Sequence, residues 1–186
     1  PFVARELILF MQAQGVEEWP DGTVTARYGF RHTLYQQVLY ERVPVTRRLR
    51  LHRQIGARLE AGYGAQAGTR AAELAMHFER GRDTTRAVQY LGQAAENAAQ
   101  RHAPHEGITL LTTGLGLLAT LPDTPARARQ ELALQMALGP ALMVTKGYAA
   151  PELEQTYARA RALCARVGDT VQLFRTLQGL FGFYTH

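Results

Sequence analysis

The 186-residue sequence contains no serine, one cysteine (Cys164) and one lysine (Lys146). Without serine, a Ser/His/Asp hydrolase would lack its nucleophile. A single thiol can form neither an internal disulfide nor a cysteine-rich zinc site. The Gly-Lys-Ser/Thr ending of a phosphate-binding P-loop is also missing, because Lys146 is followed by Gly147 and Tyr148. These absences exclude several kinds of catalytic and structural site.

Long apolar runs are absent as well. The longest, residues 137–144, is interrupted by Gly139 and Pro140 and is far shorter than a membrane-crossing helix requires. The sequence starts at Pro1 and not at methionine, and nothing near its start has the pattern of a signal peptide. We therefore expect a cytoplasmic fragment of a longer protein, with no membrane partner.

Arginine supplies almost all of the positive charge. The chain has 21 Lys and Arg against 16 Asp and Glu, which gives a net charge of +5. The guanidinium group stays protonated, and its planar fork suits carboxylates and phosphates. A nucleic-acid partner is therefore one interpretation. A solvated surface without a partner is the other, because a modest net charge bears on association and not on fold.

The first third of the chain mixes helix and strand signals. Residues 2–14 carry apolar side chains at helical spacing, which predicts a helix that ends at Gly15. Residues 23–30 are rich in β-branched and aromatic side chains and form the only strand that the sequence predicts. A helix follows over about residues 32–42. This order is typical of the late part of a winged-helix domain, which we assign to residues 1–43.

Residues 45–63 predict an amphipathic helix with a basic side, which we call the arginine face. Its members are Arg47, Arg50, Arg53 and Arg58, and Arg48 lies outside it. The opposite, apolar arc consists of Val45, Leu49, Leu51, Ile55 and Leu59. The arginine face could bind nucleic-acid phosphates, dock on an acidic neighbouring domain, or stay solvated; we prefer docking. We treat residues 44–68 as a basic linker helix with a glycine-rich joint.

Beyond residue 69 the patterns are all helical. The spacing small-x-x-x-Leu-x-x-small occurs twice, at an offset of twenty residues. Its members are Ala87, Leu91 and Ala94, then Gly107, Leu111 and Gly114. Small residues at such positions let neighbouring helices approach closely, as a stacked array requires.

Several residues predict where the later helices begin and end. Thr124 before Pro125 predicts a helix N-terminus, and Gly168 predicts a helix C-terminus. Asp169, with Gln172 three residues later, resembles a capping box. Cys164 lies on an apolar helical face and is expected to be a small buried hydrophobic residue.

Residues 71–94 resemble a tetratricopeptide repeat. The matching residues are Ala71, Leu74, Ala75, Phe78, Gly81, Ala87, Leu91 and Ala94. A second, overlapping match begins only twenty residues later, and not after the roughly 34 residues of the motif. The resemblance implies a mainly α fold: a helical-hairpin, tetratricopeptide-like array over residues 69–186, truncated at its C-terminus and preceded by the end of a winged helix with a short β-ribbon. Such an array would bind a protein or peptide in its groove.

Three runs, residues 28–43, 71–81 and 145–152, resemble the region after the ATPase module of bacterial predicted ATPases. Many of those are fused to class III adenylate or guanylate cyclase domains, and they are similar to the signal-transduction ATPases with numerous domains. The resemblance implies a fragment without catalytic residues or a cofactor of its own. Its parent would bind ATP and Mg²⁺, and its first partner would be the upstream ATPase domain.

In that family a histidine of the winged helix commonly lies near the bound nucleotide. The matching residue is His32, which follows Arg31, so the resemblance implies a nucleotide-sensing role for this pair in the parent. The residues themselves allow another interpretation, in which His32 caps the backbone of the helix that it begins. The two alternatives stay open.

The remaining candidate sites are weaker. Lys146 and Gly147 precede a helix N-terminus and could seat an anion, or could form only a tight turn. His102 and His105 are the only close histidine pair, but the intervening Pro104 breaks the helical geometry of a metal site. Carboxylates such as Glu17, Glu18 and Asp21 lie in turn-like sequence and are expected to have no partner, so we nominate no general acid or base and no metal ligand.

Overall fold

Helices dominate the structure, a computed structural model that describes residues 11–185 except for the side chains of residues 170, 182, 183 and 185. A two-stranded antiparallel sheet is the other regular element in this part of the chain. In chain order the elements are β1 (Met11–Glu18), β2 (Val24–Phe30), α1 (Thr33–Arg42), α2 (Val45–Tyr63), a 3-10 helix (Gly64–Arg70), α3 (Ala71–Arg80), α4 (Thr84–Gln100), α5 (Pro104–Ala119), α6 (Pro125–Lys146), α7 (Pro151–Val167) and α8 (Thr170–Thr185).

The chain packs as two units. Among the described residues, the ribbon unit comprises residues 11–67 together with Arg80–Arg82, and the helical unit comprises Gly68–Glu79 and residues 83–185. Within the described residues, no helix is both long enough and apolar enough to span a membrane.

The β-ribbon corrects the prediction for the start of the chain. Residues 11–14, expected to end a helix, instead begin β1, which passes through Gly15 and pairs with β2. Residues 2–10 of that expected helix lie outside the described residues. The pairing register shifts between Ala13 and Gly15, where Gly15 has a φ of 122° that glycine adopts without strain. The prediction of a single strand is therefore wrong, because helical spacing within residues 2–14 cannot reveal pairing with residues 24–30.

Helix α2 covers the predicted residues, but its buried side is narrower than the predicted apolar arc. The buried positions are His52, Gly56, Leu59 and Gly62. Val45, Leu51 and Ile55, which were expected on the buried side, are exposed. Two contacts define the buried side of α2. The Nε2 atom of His52 lies 3.0 Å from the Tyr40 hydroxyl of α1, and the Trp19 ring packs on Gly62.

Arg58 joins the ribbon to α2. Its Nη1 lies 2.8 Å from Asp21 Oδ2, its Nη2 donates to Thr23 Oγ1 at 2.6 Å, and its guanidinium lies 4.6 Å from the centre of the Trp19 ring. Nearby, the Tyr63 hydroxyl donates to Glu17 Oε1 at 3.0 Å. The expectation that Glu17 and Asp21 lack partners is therefore wrong.

The Arg58–Asp21 ion pair should make the stability of the ribbon unit sensitive to acid. The hydrogen bond from Arg58, followed by those from Thr23, lowers the pKa of Asp21 from 3.8 to about 2. Because the folded pKa lies below the unfolded one, the pair stabilises the fold above pH ~4 and loses its contribution as the pH falls towards 2. We expect the difference in unfolding free energy between the wild type and Asp21→Asn to stay constant from pH 7 to 5 and to shrink from pH 4 to 2, followed by the fluorescence of the single tryptophan. The matched control is Glu18→Gln, an exposed position. A difference that persists unchanged at pH 2 would contradict the assignment.

In the helical unit, each helix from α4 to α8 packs on the next one along the chain, and α6 also contacts α4 and α8. The core includes Val88, Leu111, Leu118, Leu138 and Leu153. The six small and leucine residues of the repeated spacing are all buried. The small residues therefore lie where α4 and α5 approach each other closely, as their spacing predicts.

The predicted helix ends in this unit are confirmed. Thr124 Oγ1 accepts from the backbone N–H of Arg127 at 3.1 Å, and Gly168 ends α7 with a φ of 76°. Asp169 Oδ1 accepts from the backbone N–H of Gln172 at 2.9 Å, which confirms the start of α8. The reciprocal bond of a capping box is absent, because the Asp169 N–H donates to the carbonyl of Cys164 and Gln172 Oε1 has no hydrogen-bond partner. Cys164 is buried, as expected.

Candidate functional site

An open groove of about 650 Å³ lies between α4, α5 and α6 of the helical unit. Most of the side chains around it are small or apolar. They are Ala95 and Ala99 from α4, Pro104, Gly107 and Leu111 from α5, and Ala137, Pro140, Ala141 and Val144 from α6. The groove exists because these small side chains leave the space between three closely packed helices unfilled.

The floor of the groove depends on Gly107 and Leu111. A Cβ atom at position 107 would lie 3.8 Å from the carbonyl oxygen of Ala95, so α4 and α5 are close together at this point. Leu111 is buried beneath the open side. The two residues set the depth of the groove and make its floor apolar.

Pro140 interrupts the hydrogen-bond pattern of α6 where this helix lines the groove. Helix α6 continues through this proline, which lines the groove. A proline has no N–H, so position 140 cannot donate to the carbonyl of Met136 one turn earlier. The carbonyl of Met136 therefore lacks its usual helical donor.

Glu96 and His102 form the polar rim. Gln93 Nε2 donates to Glu96 Oε2 at 3.0 Å, which holds the carboxylate in place. His102 follows α4 with a φ of 57°, a left-handed conformation that turns the chain towards α5. Of the described residues that line the groove, Glu96 alone is an acid, and none is an arginine or a lysine.

No local sequence pattern reveals this groove. The repeated spacing predicts that Gly107 and Leu111 serve helix packing, which is their role at the floor. The missed signal was alanine at i, i+4 spacing on two helices, at positions 95 and 99 and at positions 137 and 141. Spacing alone could not show that both pairs face one open space.

His32 lies where the capping interpretation places it. It is the residue before α1, and its Nδ1 accepts from the backbone N–H of Leu34 at 3.1 Å. Its ring also meets Tyr35 edge to face, with ring centres 6.0 Å apart. His32 and Arg31 are both exposed. One ring nitrogen is thus used for the cap, and a nucleotide-sensing role in the parent stays a prediction.

The arginine face does not act as one surface. Arg58 is held by the ribbon, and Arg53 donates from Nε to the carbonyl oxygen of Gly81 at 2.6 Å. Arg47 and Arg50 are exposed and make no ion pair with any described residue. Only two of the four arginines are therefore available to an outside partner in this arrangement.

Lys146 is already paired with a carboxylate of the same chain. Its Nζ bonds Glu152 Oε1 in the first turn of α7, and this hydrogen bond lowers the pKa of Glu152. Gly147 ends α6 with a φ of 85°, and its N–H donates to the carbonyl of Met143 at 3.1 Å. An incoming anion would have to displace Glu152, so the geometry favours the tight-turn interpretation over an anion site.

The part of the chain that the structure describes contains no cluster of three His, Cys, Asp or Glu side chains able to hold a metal ion. His102 and His105 are exposed. Cys164 has its Sγ 3.9 Å from Thr176 Oγ1 in the core. The groove is therefore the feature of the helical unit on which a functional proposal can be based.

A bacterial protein matches most of the chain. No protein-family model matches the chain, and no solved structure shows a significant match. The chain is 30% identical, over 139 residues that make up 75% of it, to an uncharacterized protein of Rhizobium meliloti (strain 1021). The aligned residues cover 14% of that protein. The chain thus resembles a small part of a much longer bacterial protein.

Proposed function

We propose that the chain is a regulatory and protein-interaction segment, without catalytic residues of its own, of a multidomain signalling ATPase. In this proposal the helical unit is a tetratricopeptide-like array, and binding in its groove is coupled to the ATPase or cyclase output of the parent. The observation that carries the proposal is the open, largely apolar groove between three consecutive helices.

The packing of the helical unit supports a binding role. Stacked helical repeats contact mainly their neighbours in sequence and build extended binding surfaces. Helices α4 to α8 follow this pattern of neighbour contacts. The groove volume of about 650 Å³ also falls within the range of roughly 300–1,000 Å³ that ligand sites occupy. The length of the Rhizobium meliloti relative agrees with a segment of a larger protein.

The ribbon unit supports a second part of the proposal, docking on an upstream ATPase domain in the cytoplasm. Helix α1 contains no buried residue, and Leu34 on it is 57% exposed. Val45 and Ile55 on α2 are exposed as well, beside the free arginines of the arginine face. An apolar and basic surface of this kind suits an acidic neighbouring domain that has apolar side chains of its own.

The competing function, nucleic-acid binding by the arginine face, has a measurable signature. Each neutralised phosphate contributes about −0.9 to the slope of log affinity against log salt concentration. If only Arg47 and Arg50 are available, we expect weak binding to duplex DNA with a slope no steeper than about −2. A steeper slope that disappears in Arg47→Ala/Arg50→Ala would favour the nucleic-acid function over our proposal.

The main test measures ATP binding by the full-length protein that contains this segment. We expect Ala137→Phe, which fills the groove from α6, to change the ATP dissociation constant by about fivefold or more, because allosteric couplings typically amount to about 1–3 kcal/mol. Ala158→Phe is the matched control, since Ala158 is exposed on α7 and does not line the groove.

Two results would overturn the proposal in different parts. A full-length protein that binds no ATP would remove the signalling-ATPase assignment. Equal ATP affinities in the wild type, Ala137→Phe and Ala158→Phe would remove the coupling. ATP hydrolysis by the 186-residue chain alone would contradict the absence of catalytic residues.

A further inference from the structure

We propose that the groove between α4, α5 and α6 binds a small apolar cation, an alkyl or aryl chain that ends in an ammonium group. This inference rests on the proposed function, because it names the ligand class of the same groove.

The size and composition of the groove suit the apolar part of such a ligand. A space of about 650 Å³ matches sites that enclose small organic molecules. The floor at Gly107 and Leu111 and the walls at Ala99 and Ala141 offer carbon atoms and no charge. An alkyl or aryl group placed there would leave water for an apolar surface, which is the main favourable contribution to binding.

The charges around the groove select against anions. The chain carries twenty arginines, yet none of them lines this groove. The nearest in sequence, Arg101, is paired with Glu106 at 3.0 Å. A fatty acid or phosphate would meet the carboxylate of Glu96 with no arginine or lysine in the lining to balance it. A cation would meet the same carboxylate with the opposite, attractive sign.

The hydrogen-bonding chemistry of Glu96 also favours an ammonium group. Glu96 is a hydrogen-bond acceptor, and its carboxylate is the one acidic side chain among the described residues that line the groove. An ammonium group supplies three donors and no acceptor. The Glu96 carboxylate on α4 therefore complements a protonated amine better than it complements a carboxylate or an ether.

The test uses three probes that share one apolar body: 4-phenylbutylammonium, 4-phenylbutanol and 4-phenylbutyrate. Their dissociation constants for the 186-residue chain are measured by isothermal titration calorimetry at neutral pH. We expect the ammonium to bind about three- to fivefold tighter than the alcohol, as a partly exposed ion pair allows, and the alcohol to bind tighter than the carboxylate.

Two variants separate the contribution of charge from that of shape. Glu96→Gln is expected to bring the ammonium and the alcohol to within about twofold of each other. Ala137→Phe is expected to weaken all three probes by about tenfold or more, because the new ring occupies their space. The matched controls are Glu79→Gln and Ala158→Phe, at exposed positions outside the groove. Circular dichroism confirms that each variant is folded.

The inference is overturned if none of the probes binds or if the carboxylate binds as tightly as the ammonium. It is also overturned if Glu96→Gln leaves the ratio of the ammonium and alcohol dissociation constants unchanged. Its failure can be told apart from that of the proposed function. If Ala137→Phe alters ATP affinity in the full-length protein while no probe binds, the groove is regulatory and the ligand class is wrong. If the ammonium binds but ATP affinity does not respond, the ligand class stands and the coupling fails.

Discussion

Replacing Gly179 by alanine is expected to destabilise the helical unit by about 1–3 kcal/mol, although alanine is the better helix former by about 1 kcal/mol. The cause is the ring of Tyr157, which lies against the backbone of α8. A Cβ atom at position 179 would stand 2.7 Å from Cε1 of that ring and closer still to Cζ. The alanine can be accommodated only if the ring moves.

Tyr157 has little freedom to move, because its ring packs against a glycine on each side. On the α6 side, a Cβ atom at Gly139 would lie 2.6 Å from Cζ and Oη of the same ring. The residue is only 5% exposed, and its burial raises the pKa of the phenol. Helices α6, α7 and α8 therefore meet around one aromatic ring held between two glycines.

The measurement is a double-mutant cycle by urea denaturation, followed by circular dichroism at 222 nm. Tyr157→Ala alone should cost about 3–5 kcal/mol. In that background Gly179→Ala should become neutral or stabilising by up to about 1 kcal/mol, since the clash is gone. Gly116→Ala is the matched control: a Cβ atom at this exposed position in α5 would meet nothing within 4 Å, so it should stabilise. If Gly179→Ala and Gly116→Ala stabilise equally, the ring does not limit the packing of α8.

The elements that the sequence predicted correctly are those with local causes. Thr124 and Asp169 start their helices by accepting backbone N–H groups three residues away, and Gly168 ends α7 because it adopts a positive φ. Such signals lie within a few residues of the feature that they produce. The sequence therefore predicts the start of α6, the end of α7 and the start of α8.

The features that were missed depend on contacts between distant residues. β1 forms because residues 11–18 pair with residues 24–30, and the apolar spacing near the start of the chain indicated a helix instead. Asp21 finds its partner Arg58 37 residues later. The arginine face was defined by periodicity on one helix, which cannot show that the ribbon holds one of its four members.

The groove was missed for a related reason. Small residues at helical spacing predict close packing, and Gly107 and Gly114 are buried between helices as expected. The same helical spacing occurs in the alanines at positions 95 and 99 of α4 and 137 and 141 of α6, yet these alanines line an open groove. Composition describes each helix surface, whereas an opening is defined by the positions of three helices relative to one another.

The second large effect is expected at Glu131, a carboxylate on α6 that is only 9% exposed. Arg159 on α7 donates two hydrogen bonds to it, at 2.6 and 3.0 Å. Arg127 lies 3.8 Å from the same carboxylate and 3.6 Å from Asp123, and Arg166 lies 2.8 Å from Asp123. Two acids and three arginines thus connect the start of α6 to α7.

Glu131→Ala should lower the unfolding free energy by about 1–3 kcal/mol, because it leaves the three arginines with Asp123 as their one remaining acid in this network. Arg159→Ala should cost less, about 0–1 kcal/mol, since its side chain is 48% exposed and Arg127 remains beside Glu131. Glu79→Ala, at an exposed position on α3, is the control and should change stability by no more than about 0.5 kcal/mol. The decisive comparison is the order of the first two variants in urea denaturation. If Arg159→Ala destabilised the unit more than Glu131→Ala, the buried carboxylate could not be the centre of the network.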